Sequence, residues 1–157
     1  MDTYSKPEAH RIAGITYRQI DYWLHTGLVT NSVGGTKLGA RRRFTYRDLI
    51  AIRAISTLLE AGVSLQAIRR VQTRLVEFKG DDDLLSQGRL VIEQGKKKPD
   101  VGIATSDDEV LRLLNEPGQS AMRTVFSMAP VYADVDKGLR KLSTERARKQ
   151  RTLKATG

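Results

Sequence analysis

Apolar residues recur at helical spacing through the first half of the chain and partly alternate with polar ones in the second half. Two short helices are predicted at the start. The first opens at Ser5-Lys6-Pro7-Glu8 and ends at Gly14; the second opens with the capping box Thr16-Tyr17-Arg18-Gln19 and ends at Gly27. Two short helices joined by a glycine-containing turn are typical of a helix-turn-helix.

The next stretch predicts a β-hairpin followed by two more helices. Val33–Gly39 is rich in glycine, and the basic run Arg41–Phe44 follows it, so we expect a wing whose tip is the glycine segment. Thr45–Asp48 repeats the capping-box pattern and opens a helix that ends at Gly62. A further helix is predicted over residues 65–78.

The second half predicts mixed structure. Two strands, Arg89–Gln94 and Asp100–Ala104, flank a polar turn, and a short helix starts after the cap residue Ser106. A third strand is predicted over residues 121–128 and a helix from Pro130 to about Leu142. The sequence therefore predicts an α+β protein: a winged helix-turn-helix domain (1–78), an acidic linker (79–88), a small mixed α/β effector or dimerisation domain (89–142) and a basic, disordered tail (143–157).

The distribution of charged residues along the chain indicates what kind of partner the protein binds. The net charge is +9, with twelve basic against six acidic residues over 1–78, seven against ten over 79–134, and eight against two over 135–157. A basic front indicates a polyanion partner, although a solvated basic surface without a partner is the alternative on charge alone. Together with the helix-turn-helix pattern, the expected partner is double-stranded DNA. With no cysteine and two histidines, we expect neither a metal site nor a cofactor. Since neither a long apolar run nor a secretory signal is present, we expect a cytoplasmic protein without a membrane partner.

The second helix offers the chemistry of groove recognition. Residues 18, 22 and 25 lie on one face, away from an apolar stripe of Ile20, Trp23 and Leu24. Arginine bridges guanine acceptors, glutamine pairs with adenine, and hydroxyls hold phosphates. The candidate DNA-binding residues are Thr16, Tyr17, Arg18, Gln19, Tyr22 and His25 on this helix, and Lys37, Arg41, Arg42 and Arg43 on the wing.

Five short stretches are diagnostic as a set: Gly14–Trp23, Thr26–Val29, Arg42–Phe44, Asp48–Leu49 and Ala61–Leu65. In their order and spacing they resemble the winged-helix DNA-binding domain of the MerR family of bacterial transcription regulators. The resemblance covers residues 5–78. The sequences of residues 16–23 and of residues 101–109 are also similar to those of an actinobacterial MerR-like subgroup.

The resemblance implies specific roles. Thr16, Tyr17 and Arg18 would meet DNA in the major groove, Tyr22 would touch a phosphate, and the wing would act through Arg42 and Arg43. It also implies a homodimer on a palindromic promoter site whose two promoter elements lie too far apart. Bending and untwisting the DNA would then let RNA polymerase engage both elements and bind productively.

Two departures from the family pattern change what is expected of DNA contacts and of dimerisation. Asp21 stands where many members carry a basic residue, so one backbone contact is expected to be missing or replaced. The long dimerising helix that follows the fourth helix in classical members is not evident, so we expect dimerisation beyond residue 78. The candidates, which could equally form the core of the small domain, are Val125, Phe126, Met128, Val131, Tyr132 and Val135.

Other functions remain open at this point. An architectural, excisionase-like DNA-bending protein would use a similar winged helix without effector control. An enzyme is not expected, because the carboxylate clusters at residues 81–83 and 107–109 are typical of a solvated linker and a helix start. For residues 89–142, an effector ligand and a protein partner both stay open, and the identity of either is unknown.

Overall fold

The computed structural model describes residues 2–29, 33–34, 41–78, 85–94, 99–115 and 122–157. The strands are β1 (Thr3–Ser5), β2 (Val33–Gly34), β3 (Arg42–Thr45), β4 (Arg89–Gln94), β5 (Asp100–Ala104) and β6 (Met122–Ser127). The helices are α1 (Lys6–Ala13), α2 (Tyr17–His25), α3 (Tyr46–Glu60), α4 (Leu65–Glu77), α5 (Asp107–Leu114) and α6 (Ala129–Ala155). The predicted mixed α/β class, with a helix-turn-helix domain first, is confirmed.

The helix starts follow from reciprocal caps written into the sequence. The amide of Ser5 donates to Glu8 Oε2 at 2.8 Å, that of Thr16 to Gln19 Oε1 at 2.9 Å, and that of Thr45 to Asp48 Oδ2 at 2.8 Å. In each case the hydroxyl of the cap residue accepts from the amide three residues on. These bonds confirm the three predicted helix starts. Both partners of each cap lie within four residues of the chain, which is why the sequence alone could predict them.

The first sheet has the order β1-β3-β2 and contains the predicted wing hairpin. Val33 pairs with Arg43 and Gly34 with Arg42 in antiparallel register. The predicted glycine tip, including Lys37, lies outside the described residues. Strand β1 was not predicted; it pairs with β3 through Tyr4 and Phe44, and so fastens the start of the chain to the wing.

The second sheet has the order β5-β4-β6, and all its pairs are antiparallel. On one face Val91 and Ala104 pack against Val110 of α5 in a small cluster of their own. On the other face Leu90 and Ile92 are fully buried in the large core. The three predicted strands and the helix after Ser106 are confirmed. Of the predicted linker at 79–88, residues 79–84 lie outside the described residues, as do residues 95–98 of the predicted turn between β4 and β5.

The prediction of a disordered tail from residue 143 is wrong, because α6 continues without a break to Ala155. This stretch contains neither glycine nor proline and is rich in strong helix formers such as arginine, lysine, glutamine and alanine. Its start is also tied to α1 by two ion pairs, Arg11 with Glu145 and Glu8 with Arg146. Local propensity and these pairs together order a segment that buries little apolar surface.

Helix α6 lies along α1 in the opposite direction and covers α1 and α3. Near its start, Asp134 accepts from Arg53 at 3.0 Å, and Arg53 also donates to the carbonyl of Ala13 at 3.2 Å. One turn on, Gly138 lies against Ile12 so closely that a Cβ there would be 2.7 Å from the Ile12 carbonyl oxygen. Apolar residues of both halves thus share one core, whose members include Ile12, Phe44, Ile55, Leu90 and Val135.

This packing bears on the six apolar residues between 125 and 135, which were predicted either to form the core of the small domain or to contact a second copy of the chain. Met128, Val131, Tyr132 and Val135 are buried within this chain, and Phe126 packs partly buried against the same core. Val125 alone of the six keeps substantial exposure, at 42%. The stretch is therefore mainly intramolecular core. Among the described helices, none has the length and apolarity needed to span a bilayer.

Candidate nucleic-acid interface

The outward face of α2 carries the predicted recognition residues. Thr16 at its N-cap and Tyr17, Arg18, Gln19, Tyr22 and His25 along it are all exposed. Tyr17 and Tyr22 leave 44% and 61% of their surface open to solvent, which is unusual for large aromatic side chains. The opposite face is fixed in the core by Ile20 and Trp23. The structure therefore leaves all six candidates on α2 and its N-cap accessible to solvent.

Helix α1 holds this surface in place from the side. The ring of His10 stacks on Tyr17 with the centroids 4.5 Å apart, and His10 Nδ1 contacts the carbonyl of Ile15 in the turn between the helices. Lys6 Nζ lies 5.7 Å from the centre of the Tyr17 ring and 2.5 Å from Asp21 Oδ1. The Asp21 carboxylate, which would otherwise repel phosphate, is thus neutralised by a cation from α1.

Thr16 and Gln19 have a structural task at the start of α2. Gln19 Oε1 accepts from both the amide and the hydroxyl of Thr16, at 2.9 and 3.2 Å. The first turn of a helix presents unpaired amides and the positive end of the helix dipole, which together favour an anion. The N-terminus of α2 is therefore an exposed end with the electrostatics that suit a phosphate or an electronegative base edge.

The comparisons with known proteins agree with this geometry. Residues 4–75, which include both helices of the turn, the wing, α3 and most of α4, match the family described as MerR HTH family regulatory protein. The chain carries a MerR-family helix-turn-helix domain. It is also similar to uncharacterized HTH-type transcriptional regulators of Mycobacterium bovis and Mycobacterium tuberculosis, each 35% identical over 131 residues. Each alignment covers 80% of this chain and 53% of the relative, so the chain spans about half the length of the curated relatives it matches.

Within the MerR domain, the three arginines of the wing differ in what they contact. Arg41 is exposed, whereas Arg42 and Arg43 are half-buried. The guanidinium of Arg43 donates to the hydroxyl and the carbonyl of Thr3, at 3.1 and 2.7 Å. Arg43 therefore fastens β1 to the wing, a role that its place in a basic run did not reveal. Arg41 and Arg42 are the described wing cations that best suit a DNA contact.

Two residues beside the exposed surface of α2 were missed by sequence reasoning. One is Lys6, described above. The other is Arg69 on the exposed side of α4, which donates to the carbonyl of Thr26 at 3.3 Å, just past the end of α2. Each has an ordinary position on the polar face of an amphipathic helix, so only tertiary packing shows that it lies next to α2.

An open cleft of about 660 Å³ lies between α4 of the MerR domain and the start of β5. Across it, Arg70 Nε is 3.7 Å from Asp100 Oδ1. Its lining is polar and contains no aromatic side chain. The lining residues are Gln66, Arg69, Arg70, Thr73, Pro99 and Asp100.

The described carboxylate cluster caps a helix. Asp107 pairs with Arg89 at 2.5 Å, and Glu109 Oε2 accepts from the amide and the hydroxyl of Thr105. The Thr105 amide, as the main cause, lowers the pKa of Glu109. Among the described residues, no three histidine, aspartate or glutamate side chains group as a metal ion would require. The other predicted cluster, residues 81–83, lies outside the described residues.

Proposed function

We propose that this chain is a sequence-specific transcriptional regulator that places α2 in the major groove of a promoter. The observation that carries the proposal is the open face of α2 in a MerR domain. Arg18, Tyr22 and His25 extend from it while the buried side fixes the helix. In helix-turn-helix proteins the second helix reads base edges and the first crosses the backbone. Acting there, the protein would work in the bacterial cytoplasm on nucleoid DNA.

The central experiment selects DNA from a randomised duplex library with the full chain. We expect an inverted repeat to be enriched, since two copies related by a two-fold axis read mirrored half-sites. Enrichment of a motif without symmetry would contradict binding as a homodimer. Absence of any enriched motif would contradict sequence-specific regulation and favour architectural DNA binding.

Two single-charge variants then separate base recognition from phosphate binding. Arg18→Ala is expected to weaken binding to the selected site by about 1–3 kcal/mol and to leave binding to arbitrary duplex DNA nearly unchanged. Arg42→Ala, which removes the same charge from the wing, is expected to weaken both by a similar factor. Equal weakening of specific and arbitrary DNA by Arg18→Ala would assign Arg18 to the backbone.

We place the homodimer contact at the outer edge of β6. Among the described strands β6 pairs with β4 alone, so its other edge presents unpaired backbone groups beside two exposed apolar side chains, Met122 at 64% and Val125 at 42%. Such an edge pairs readily with its own copy in antiparallel register about a two-fold axis.

Light scattering on full-length variants tests this placement. Val125→Asp is expected to lower the solution mass from dimer to monomer, because it puts a charge at the shared edge. Leu111→Asp, on the exposed side of α5, is the matched control and should leave the mass unchanged. A Val125→Asp variant that stays dimeric while Leu111→Asp dissociates would place the contact on α5.

We further propose that binding distorts the promoter and so allows RNA polymerase to engage it. Energy transfer between dyes on the two ends of a duplex is expected to rise when the protein binds the selected site, because bending shortens their separation. Transcription in vitro with purified polymerase gives the functional outcome. A straight duplex in the complex would contradict distortion and leave binding intact.

A further inference from the structure

The C-terminal half of α6 is a strongly basic and exposed surface. From residue 137 onward it carries eight lysines and arginines against one acidic residue, Glu145, and all eight are exposed. Glu145 forms an ion pair with Arg11 of α1, and Arg146 forms one with Glu8. The remaining basic residues of the last turns are Arg148, Lys149, Arg151 and Lys154; among the described residues none of the four has a carboxylate partner.

These four cations belong to a part of α6 that extends past the body of the protein. We call residues 147–155 the overhang. Among the described residues, the last ion pairs of α6 with α1 are those of Glu145 with Arg11 and of Arg146 with Glu8, in the first turn of α1. Every residue of the overhang is exposed. Nine further helical residues, at 1.5 Å each, extend roughly 13 Å beyond that point.

The overhang leaves the protein at the end of α1 that lies beside the recognition helix. Lys6, in the first turn of α1, contacts both Tyr17 and Asp21 of α2. In a helix-turn-helix complex the first helix crosses the phosphate backbone next to the groove that the second helix occupies. The direction of α6 therefore brings its unpaired cations toward the backbone that flanks the α2 site.

The physical chemistry of the overhang favours a polyanion over other partners. Arg148 and Arg151, and likewise Arg151 and Lys154, are three residues apart, so like charges crowd one face and repel each other. Duplex DNA carries about one negative charge per 1.7 Å and relieves this repulsion. A membrane-surface helix needs an apolar face as well, but Leu153 is the one large apolar side chain in the overhang.

We infer that the overhang of α6 is a second DNA-contacting element that binds phosphates flanking the sequence read by α2. The inference rests on the proposed function, since it takes α2 as the helix in the groove. It adds affinity and salt dependence but no base recognition, because a helix of lysines and arginines on the backbone reads charge alone.

Two triple variants of the full chain, each removing three cations from α6, provide the test. Arg148→Gln, Lys149→Gln and Arg151→Gln remove charge from the overhang. Lys137→Gln, Arg140→Gln and Lys141→Gln remove the same charge about three turns earlier, where α6 lies beside α1. Circular dichroism confirms first that both triples keep the helix.

Affinity for duplex DNA is then measured over a series of salt concentrations. The overhang triple is expected to reduce the slope of log K against log salt by about 0.9 for each lost contact, and so by roughly 2–3. Its sequence preference should not change, and hydroxyl-radical footprints should lose protection outside the inverted repeat. The control triple should change the slope by less than about 0.9, the amount expected for one phosphate contact.

The outcomes separate this inference from the proposed function. If the chain selects a sequence but both triples reduce the slope equally, or neither does, the overhang contact is overturned and the proposed function stands. If no sequence is selected, the proposed function fails, while a difference between the triples on arbitrary duplex DNA still supports the contact. Binding to phosphatidylglycerol vesicles that only the overhang triple loses, with an unchanged DNA slope, would overturn it in favour of a membrane.

Discussion

Gly138 of α6 lies directly against the backbone of α1, so Gly138→Ala tests the packing of the two halves. An added Cβ would lie 2.7 Å from the carbonyl oxygen and 2.8 Å from the Cα of Ile12. Ordinary carbon contacts are about 3.5–4.0 Å, so the helices would have to separate by roughly 0.7–1 Å. The obstructing atoms belong to the backbone of α1, and no side-chain rotation relieves the clash.

Two effects of opposite sign decide the magnitude. Overpacking of a tight contact costs about 1–3 kcal/mol, and a backbone obstruction favours the upper half of that range. Alanine gains about 1 kcal/mol over glycine as a helix former. We therefore expect Gly138→Ala to lower the free energy of unfolding by about 1–2 kcal/mol, although the same change at an exposed helical position would raise it.

Urea titration followed by circular dichroism and by fluorescence measures this free energy, since the single tryptophan, Trp23, is buried in the shared core. Ala147→Gly, at an exposed position of the same helix, measures the helix-propensity difference in place and is expected to cost about 1 kcal/mol. If Gly138→Ala instead stabilises the protein by the amount that Ala147→Gly costs, α6 does not pack against α1 as described.

Substitutions at three further residues probe the described contacts. Arg43→Ala should cost about 1–2 kcal/mol of stability, because two hydrogen bonds from the guanidinium to β1 are lost; unchanged urea unfolding would contradict this. Thr45→Ala should cost about 1–2 kcal/mol through its buried cap, whereas Thr45→Ser should restore most of it. Burial acts to raise the pKa of Glu8, but the Ser5 amide and Arg146 lower it below its ordinary value of 4.5. The stabilisation by ionised Glu8 is therefore full above pH 4.5 and is lost as the pH falls through the lowered pKa; Glu8→Gln should cost about 1 kcal/mol at pH 7, and a cost that does not shrink as the pH is lowered through the acid range would refute this.

The elements that sequence reasoning predicted correctly are those specified by residues close together in the chain. The capping boxes at Thr16 and Thr45 and the short apolar runs of β4 and β5 each lie within a few residues. The exposed face of α2 followed from helical spacing alone. These signals are local, so tertiary packing confirms them without altering them.

The elements that were missed depend on distant partners. Strand β1 has three residues and exists because Tyr4 pairs with Phe44, forty positions away. Arg43 belongs to a basic run, and its bond to Thr3 cannot be inferred from that run. Helix α6 continues past Leu142 without an apolar stripe, and its ion pairs reach residues at the other end of the chain. No local pattern carries such information.

The closure of α6 over α1 has a consequence for the order of events during synthesis. Ile12 and the residue that covers it, Gly138, are separated by about 125 residues along the chain. At roughly 5–20 residues per second, the ribosome makes α1 on the order of 10 s before its cover. For that time the helix-turn-helix domain exists with one apolar flank open to water. This flank is buried only once α6 has left the exit tunnel and packed against α1.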